Sequence, residues 1–84
     1  MPETILGCFL MLNIDRNCSE SALKSKISAI RGVTGVYRVY GVYDMVVQSD
    51  INDLGYLQKT LIPTIRQMKD VRLTLTHIIH SYNP

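Results

Sequence analysis

The chain opens on a long apolar run, Ile5-Leu6-Gly7-Cys8-Phe9-Leu10-Met11-Leu12-Asn13-Ile14, with hydrophobic residues at consecutive rather than alternate positions. That pattern predicts a strand covered on both faces and stopped by the turn-like Asp15-Arg16-Asn17. Asn17-Cys18-Ser19-Glu20 then has the form of a helix start, a short polar cap followed three positions on by an acid able to bond back to it. Leu23, Ile27 and Ile30 make one apolar stripe, with Lys24, Lys26 and Arg31 largely off it and Gly32 as the stop. These basic residues read as a solvated face that suits the negative end of the helix dipole.

Val33 to Tyr40, rich in β-branched and aromatic residues, predicts a second strand, and Gly41 marks a sharp bend into a third, Met45-Val46-Val47-Gln48-Ser49. Polar residues from Asp50 to Asn52 announce a second helix with the stripe Leu54, Leu57, Leu61, Ile65 and Met68. Pro63 lies within it; because the apolar spacing continues through the proline, a kink is expected rather than two elements. Lys69-Asp70 ends that helix, and Val71 to Ile79 predicts the last strand. Val71, Leu73, Leu75, His77 and Ile79 fall on one of its faces and Arg72, Thr74, Thr76, Ile78 and His80 on the other. The tail Ser81 to Pro84 is expected to be loose.

Strand, helix, strand, strand, helix, strand is the order of a ferredoxin-like α+β fold, βαββαβ, and residues 1–84 read as a single domain of this kind. Crossovers of the usual hand put both helices on one side of a four-stranded antiparallel sheet. Two helices cover one side only, yet the unbroken first strand implies that the opposite side is dry too. A homodimer with its two sheets packed face to face, an αβ-sandwich, resolves the conflict, and each Leu or Ile so buried contributes ~1.5–3 kcal/mol.

Composition strengthens that expectation, because 46% of the 84 residues are hydrophobic, more than one small core holds, so the chain is expected to form oligomers. Nine basic and seven acidic residues are scattered without runs, for a net charge of +2, and demand no polyanionic partner. Cys8 and Cys18, with no second pair, indicate neither a zinc knuckle nor a disulfide framework, and Cys8 reads as a small core residue. The N-terminus carries Glu3 and no basic segment, and the run from Ile5 to Leu12 is too short to span a bilayer. A cytoplasmic, unprocessed protein with no membrane attachment is expected.

Little in the chain suggests catalysis. His77 and His80, three apart on a strand, project to opposite faces and do not readily share a metal ion, so His77 reads as a core-edge residue with a satisfied ring nitrogen. No His-Glu-x-x-His, Gly-x-Ser-x-Gly or phosphate-loop pattern occurs, and no catalytic residue, metal or cofactor is expected. Asp44 is the exception. A carboxylate beside the apolar Met45-Val46-Val47 is costly unless something positive or hydrogen-bonding meets it. Two readings stand side by side: a salt bridge to Arg38 or Arg72 or a cap on the hairpin backbone, and a grip on the ammonium group of a ligand.

Residues 5–80 resemble the effector-binding, or RAM, domain of the Lrp/AsnC family of amino-acid-responsive regulators. Val39-Tyr40-Gly41-Val42-Tyr43-Asp44 is similar to that family's Gly-x-Tyr/Phe-Asp element, and Thr74-Leu75-Thr76-His77-Ile78-Ile79 to its Thr-x-Thr-x-Val/Ile-Val closing strand. The resemblance implies a sandwich dimer, often a ring of such dimers, that binds a free amino acid in clefts between dimers. Carried over residue by residue, Gly41 would permit the turn, Asp44 would meet the ammonium, Tyr40 and Tyr43 would line the cleft, and nearby backbone amides would take the carboxylate. Thr74 and Thr76 are further ligand-binding candidates, although pairing within the sheet explains them equally well. Full-length members carry an N-terminal helix-turn-helix, whereas here the first strand begins within five residues of Met1. The expectation is therefore a stand-alone sensor that does not bind DNA directly and modulates transcription through full-length Lrp/AsnC regulators. Lys69-Asp70 in place of the family's Pro-Gly, and Pro63 in the second helix, depart from the pattern.

Two other classes share the strand order. An RNA-recognition module would use Phe9, Tyr37-Arg38 and Tyr43 as a stacking platform, but Asp44 sets a negative charge beside the bases and the sheet face is very apolar. A small dimeric enzyme of the monooxygenase or isomerase type would need an acid–base pair that is not evident.

Overall fold

A computed structural model of the protein describes residues 5–82, with side chains for 7–72 and 74–78. The elements are β1 (Ile5–Ile14), α1 (Glu20–Ser28), β2 (Val33–Arg38), β3 (Met45–Ile51), a helix α2 in three abutting segments, and β4 (Val71–Tyr82). The segments of α2 are α-helical Leu54–Tyr56, π-helical Leu57–Leu61 and α-helical Ile62–Arg66. All strand pairs are antiparallel in the order β2-β3-β1-β4, the ferredoxin-like order expected, with β1 in the interior. β4 outruns its expected end, since Tyr82 pairs with Ile5, and only residues 83–84 of the tail lie outside the described part.

Strand β1 is apolar on both faces for two different reasons. Cys8, Leu10, Leu12 and Ile14 lie under the helices, in one core with Val36, Met45, Val47 and Val71 of the sheet and Leu23, Ile27, Leu57, Leu61, Ile62 and Ile65 of α1 and α2. Phe9 and Met11 point the other way, paired across the sheet with Gln48 and His77, and with Val46 and Leu75. That outer face is uncovered in the single chain: Tyr37 is 52% and Leu75 40% exposed, while Phe9, Met11 and Val46 are half-buried. His77 shares it, exposed and without a hydrogen-bond partner among the described residues, so it is not the satisfied core-edge histidine expected. The side chains of Leu73, Ile79 and His80 lie outside the described residues.

Several boundaries move for identifiable reasons. Asp15 captures the Asn17 N–H at 2.9 Å in a side-chain turn, so α1 is capped by Ser19, whose Oγ accepts from the Ala22 N–H at 3.3 Å, rather than by Asn17. The helix ends at Ser28, and Gly32, with φ 96°, turns the chain into β2 where a Cβ would fall 2.6 Å from Ile51 Cδ1. Asp50 stays in β3, and Asp53 caps α2 by accepting from the Tyr56 N–H at 3.1 Å. A register shift between Asn13 and Ile14 turns Val71 into the core instead of onto the Leu75 face.

Pro63 is absorbed by widening a turn, not by a break. The Ile62 N–H bonds back to Leu57 O, five residues away, so the chain reaches Pro63 in the first turn of a new α-helical segment, where its missing donor costs little. The extra residue in the wide turn also rotates the stripe. Leu54 becomes 40% exposed and Ile62 is buried, while Met68, beyond the helix end, packs half-buried on the core. No helix of the described residues is long and apolar enough to cross a membrane.

Gly32→Ala forces an L side chain into left-handed backbone against Ile51 and is expected to lower unfolding stability by ~1–3 kcal/mol in a urea titration, with the fold retained.

Candidate functional site

Strands β2 and β3 are joined by a hairpin loop closed by the Val39 N–H, which donates to Asp44 O at 3.0 Å. At its tip Gly41 has φ 154°, and a Cβ there would meet nothing within 4 Å, so glycine supplies backbone freedom rather than space. Tyr40 and Val42 stand out in solvent, 93% and 83% exposed, with the Tyr40 ring 5.5 Å from the Arg38 guanidinium carbon. Tyr43 is half-buried.

Asp44 ties three strands together. Its N–H donates to Leu12 O at 2.8 Å, and its carbonyl also accepts from Arg38 Nη1 at 2.9 Å. The β1–β3 ladder ends at the Leu12 and Met45 pair, and past that point Asp44 Oδ2 accepts the Ile14 N–H at 2.9 Å, replacing the missing carbonyl. Oδ1 lies 3.6 Å from Arg38 Nη1. The structural reading of this acid is thus met by Arg38 and by a cap on β1 rather than on the hairpin itself; Arg72 instead pairs with Asp15 at 2.8 Å.

Beside Asp44 opens a polar cavity of about 370 Å³ lined by Ile14, Asp15, Arg16, Glu20, Arg38 and Asp44. A second, of about 340 Å³, adjoins it around Ile14, Asp15, Arg16, Asn17 and Arg72. The first residue of α1 reaches in, with Glu20 Oε1 3.3 Å from Arg38 Nε. The Asn17 N–H and the Arg72 guanidinium hold the Asp15 carboxyl below its ordinary range. Burial pushes the Cys8 thiol up, as suits an inert core residue. Among the described residues no group of three or more His, Cys, Asp or Glu is placed to hold a metal ion.

Of the six residues expected to bind ligand, Asp44 lines the larger cavity, with Tyr40, Gly41 and Tyr43 on the same hairpin. Thr74 and Thr76 are not brought to it. They pair with Leu12 and Leu10 on the helix-covered face, where Thr74 Oγ1 accepts from Arg66 Nε at 3.2 Å and Thr76 Oγ1 is buried without a partner. Asp15, Arg16 and Glu20 were missed, because the turn after β1 read only as a stop signal; a dense charge cluster facing a hairpin acid was the available clue.

Residues 7–81 match the family model described as the Lrp/AsnC ligand binding domain. The chain belongs to this family. Its fold is shared with TTHA0845 from Thermus thermophilus, at 25% identity over 94% of this chain and 98% of that one, with a TM-score of 0.80. A hypothetical protein from Pyrococcus horikoshii is 27% identical over 88% of each chain, TM-score 0.78. A feast or famine regulatory protein from M. tuberculosis, complexed with L-methionine, shares the fold at 23% identity and TM-score 0.70 over 88% of this chain and 49% of its own. No curated protein matches in sequence.

In this Lrp/AsnC domain the hairpin acid is a building element before any ligand arrives. Asp44→Ala leaves the Ile14 N–H without its acceptor and is expected to cost ~1–3 kcal/mol in ligand-free chemical unfolding.

Proposed function

We propose that this Lrp/AsnC domain is a regulatory sensor of free amino acids, not an enzyme, working as a dimer and in rings of dimers and acting on transcription through partner regulators. The observation that carries the reading is the family match over residues 7–81 together with a half-exposed Asp44 on the wall of a cavity. The methionine complex of the M. tuberculosis relative supports the ligand class. In this reading Asp44 meets the ammonium through Oδ1, the oxygen that Ile14 does not use, and Tyr40, Gly41 and Tyr43 line a cleft completed by a neighbouring dimer. Val42 and Tyr40, far out in solvent, are the hairpin's contacts to that neighbour. Thr74 and Thr76 enter the proposal only as supports of the closing strand.

The uncovered sheet face suits a second copy. Phe9, Met11, Val46 and Leu75 form its apolar centre, and Asn13, Gln48 and His77 stand around them, the arrangement of a hydrophobic interface with a polar rim. Sedimentation is expected to give a dimer or larger species for the native chain and a folded monomer for Met11→Asp. A native chain that remains monomeric at every concentration tried contradicts the assembly.

Sensing itself is tested by thermal unfolding in the presence of each common amino acid. A recognised one, at about a hundredfold over its dissociation constant, should add ~2.7 kcal/mol of stability. No rise with any of them would remove the sensor reading.

A further inference from the structure

We propose that Arg16, in the turn between β1 and α1, holds the carboxylate of the amino acid, an assignment that rests on the sensor reading above. Backbone donors in that turn are largely engaged. The Ile14 N–H is taken by Asp44 Oδ2 at 2.9 Å, the Asp15 N–H by Asp70 O at 2.8 Å, the Asn17 N–H by Asp15 Oδ1 at 2.9 Å and the Cys18 N–H by Asp15 O at 3.2 Å. Amides that a bound carboxylate would need are already spent, save that of Arg16 itself. An anion arriving here must be met by a side chain.

The side chains leave one choice. Arg72 is bound to Asp15, and Arg38 lies against both Glu20 and Asp44. Arg16 lines both cavities, is exposed, and has no ion-pair or hydrogen-bond partner among the described residues. Asp15 is offset by Arg72, and one guanidinium, Arg38, faces two carboxylates, Glu20 and Asp44. What remains in the larger cavity is one unmatched negative charge and one unmatched positive charge. A free α-amino acid carries the complementary pair. At about 370 Å³ the cavity falls within the range of small-molecule sites, ~300–1,000 Å³. A guanidinium can take a carboxylate through two parallel N–H donors, a geometry that lysine does not reproduce.

The test uses the native chain and Arg16→Gln, with calorimetric titration of the L-amino acids and, for those that bind, of the matching α-carboxamides, which keep the ammonium and lose the carboxylate charge. Loss of Arg16 is expected to raise the dissociation constant for the acid about tenfold or more while leaving that for the amide within about twofold. Arg16→Lys should recover part of the loss, and all three proteins should melt alike without ligand. If Arg16→Gln binds the acid as the native chain does, or weakens acid and amide equally, the Arg16 assignment is overturned and the sensor reading stands. If the native chain binds no amino acid, both fall together.

Discussion

A single carboxylate takes the place of a backbone carbonyl where the sheet runs out of ladder. Asp44 Oδ2 satisfies the Ile14 N–H after β1 and β3 have parted, and the same residue's backbone holds β2 through Val39 and Arg38. A half-buried amide left open would cost more than the bond returns, so the position favours an acceptor of this length. The geometry of the cavity follows from it. With Asp44 fixed against β1, Arg38 is drawn between Asp44 and Glu20, and the turn after β1 is held beside the hairpin.

This makes stability and recognition share one residue. The sequence left open whether Asp44 serves the fold or a ligand, and the geometry divides its two oxygens: one bonds backbone, while the other sits at a long 3.6 Å from a guanidinium and in part faces solvent. A site of this kind needs little new ordering when a ligand enters, because its charged groups are already arranged around one another. It also binds weakly unless the ligand supplies both signs of charge, since each ion pair in place must be matched and not simply broken. A sheet with one bare apolar face adds the second constraint, that the unit in solution is more than one chain.

Fold class and strand order were legible because consecutive apolar positions, helical stripes and the glycine bend carry long-range information in local spacing. β1 was read to its ends, and so were the stripe Leu23, Ile27, Ile30 and the burial of Cys8. Boundaries set by competition between neighbouring polar side chains were not. Asp15 and Ser19 both offer an acceptor near Asn17, and only the packed chain decides which one caps the helix. The bulge that buries Val71 and the π turn before Pro63 are tertiary compromises with no periodic signature. For the site, the family motif pointed to the hairpin but not to the opposite wall, since Asp15, Arg16 and Glu20 become partners of Asp44 only after α1 and β2 are brought together.

Occupation of the cavity between the hairpin and the turn after β1 by an amino acid is the point on which the functional reading rests. Hydrogen–deuterium exchange of the assembled protein, with and without the amino acid that stabilises it most, tests this directly. Protection should rise in residues 14–18 and 39–44 together and stay unchanged over the Thr74 to Thr76 stretch of β4. A ligand that binds and protects β4 or α2 while leaving both of those segments unaffected would contradict it.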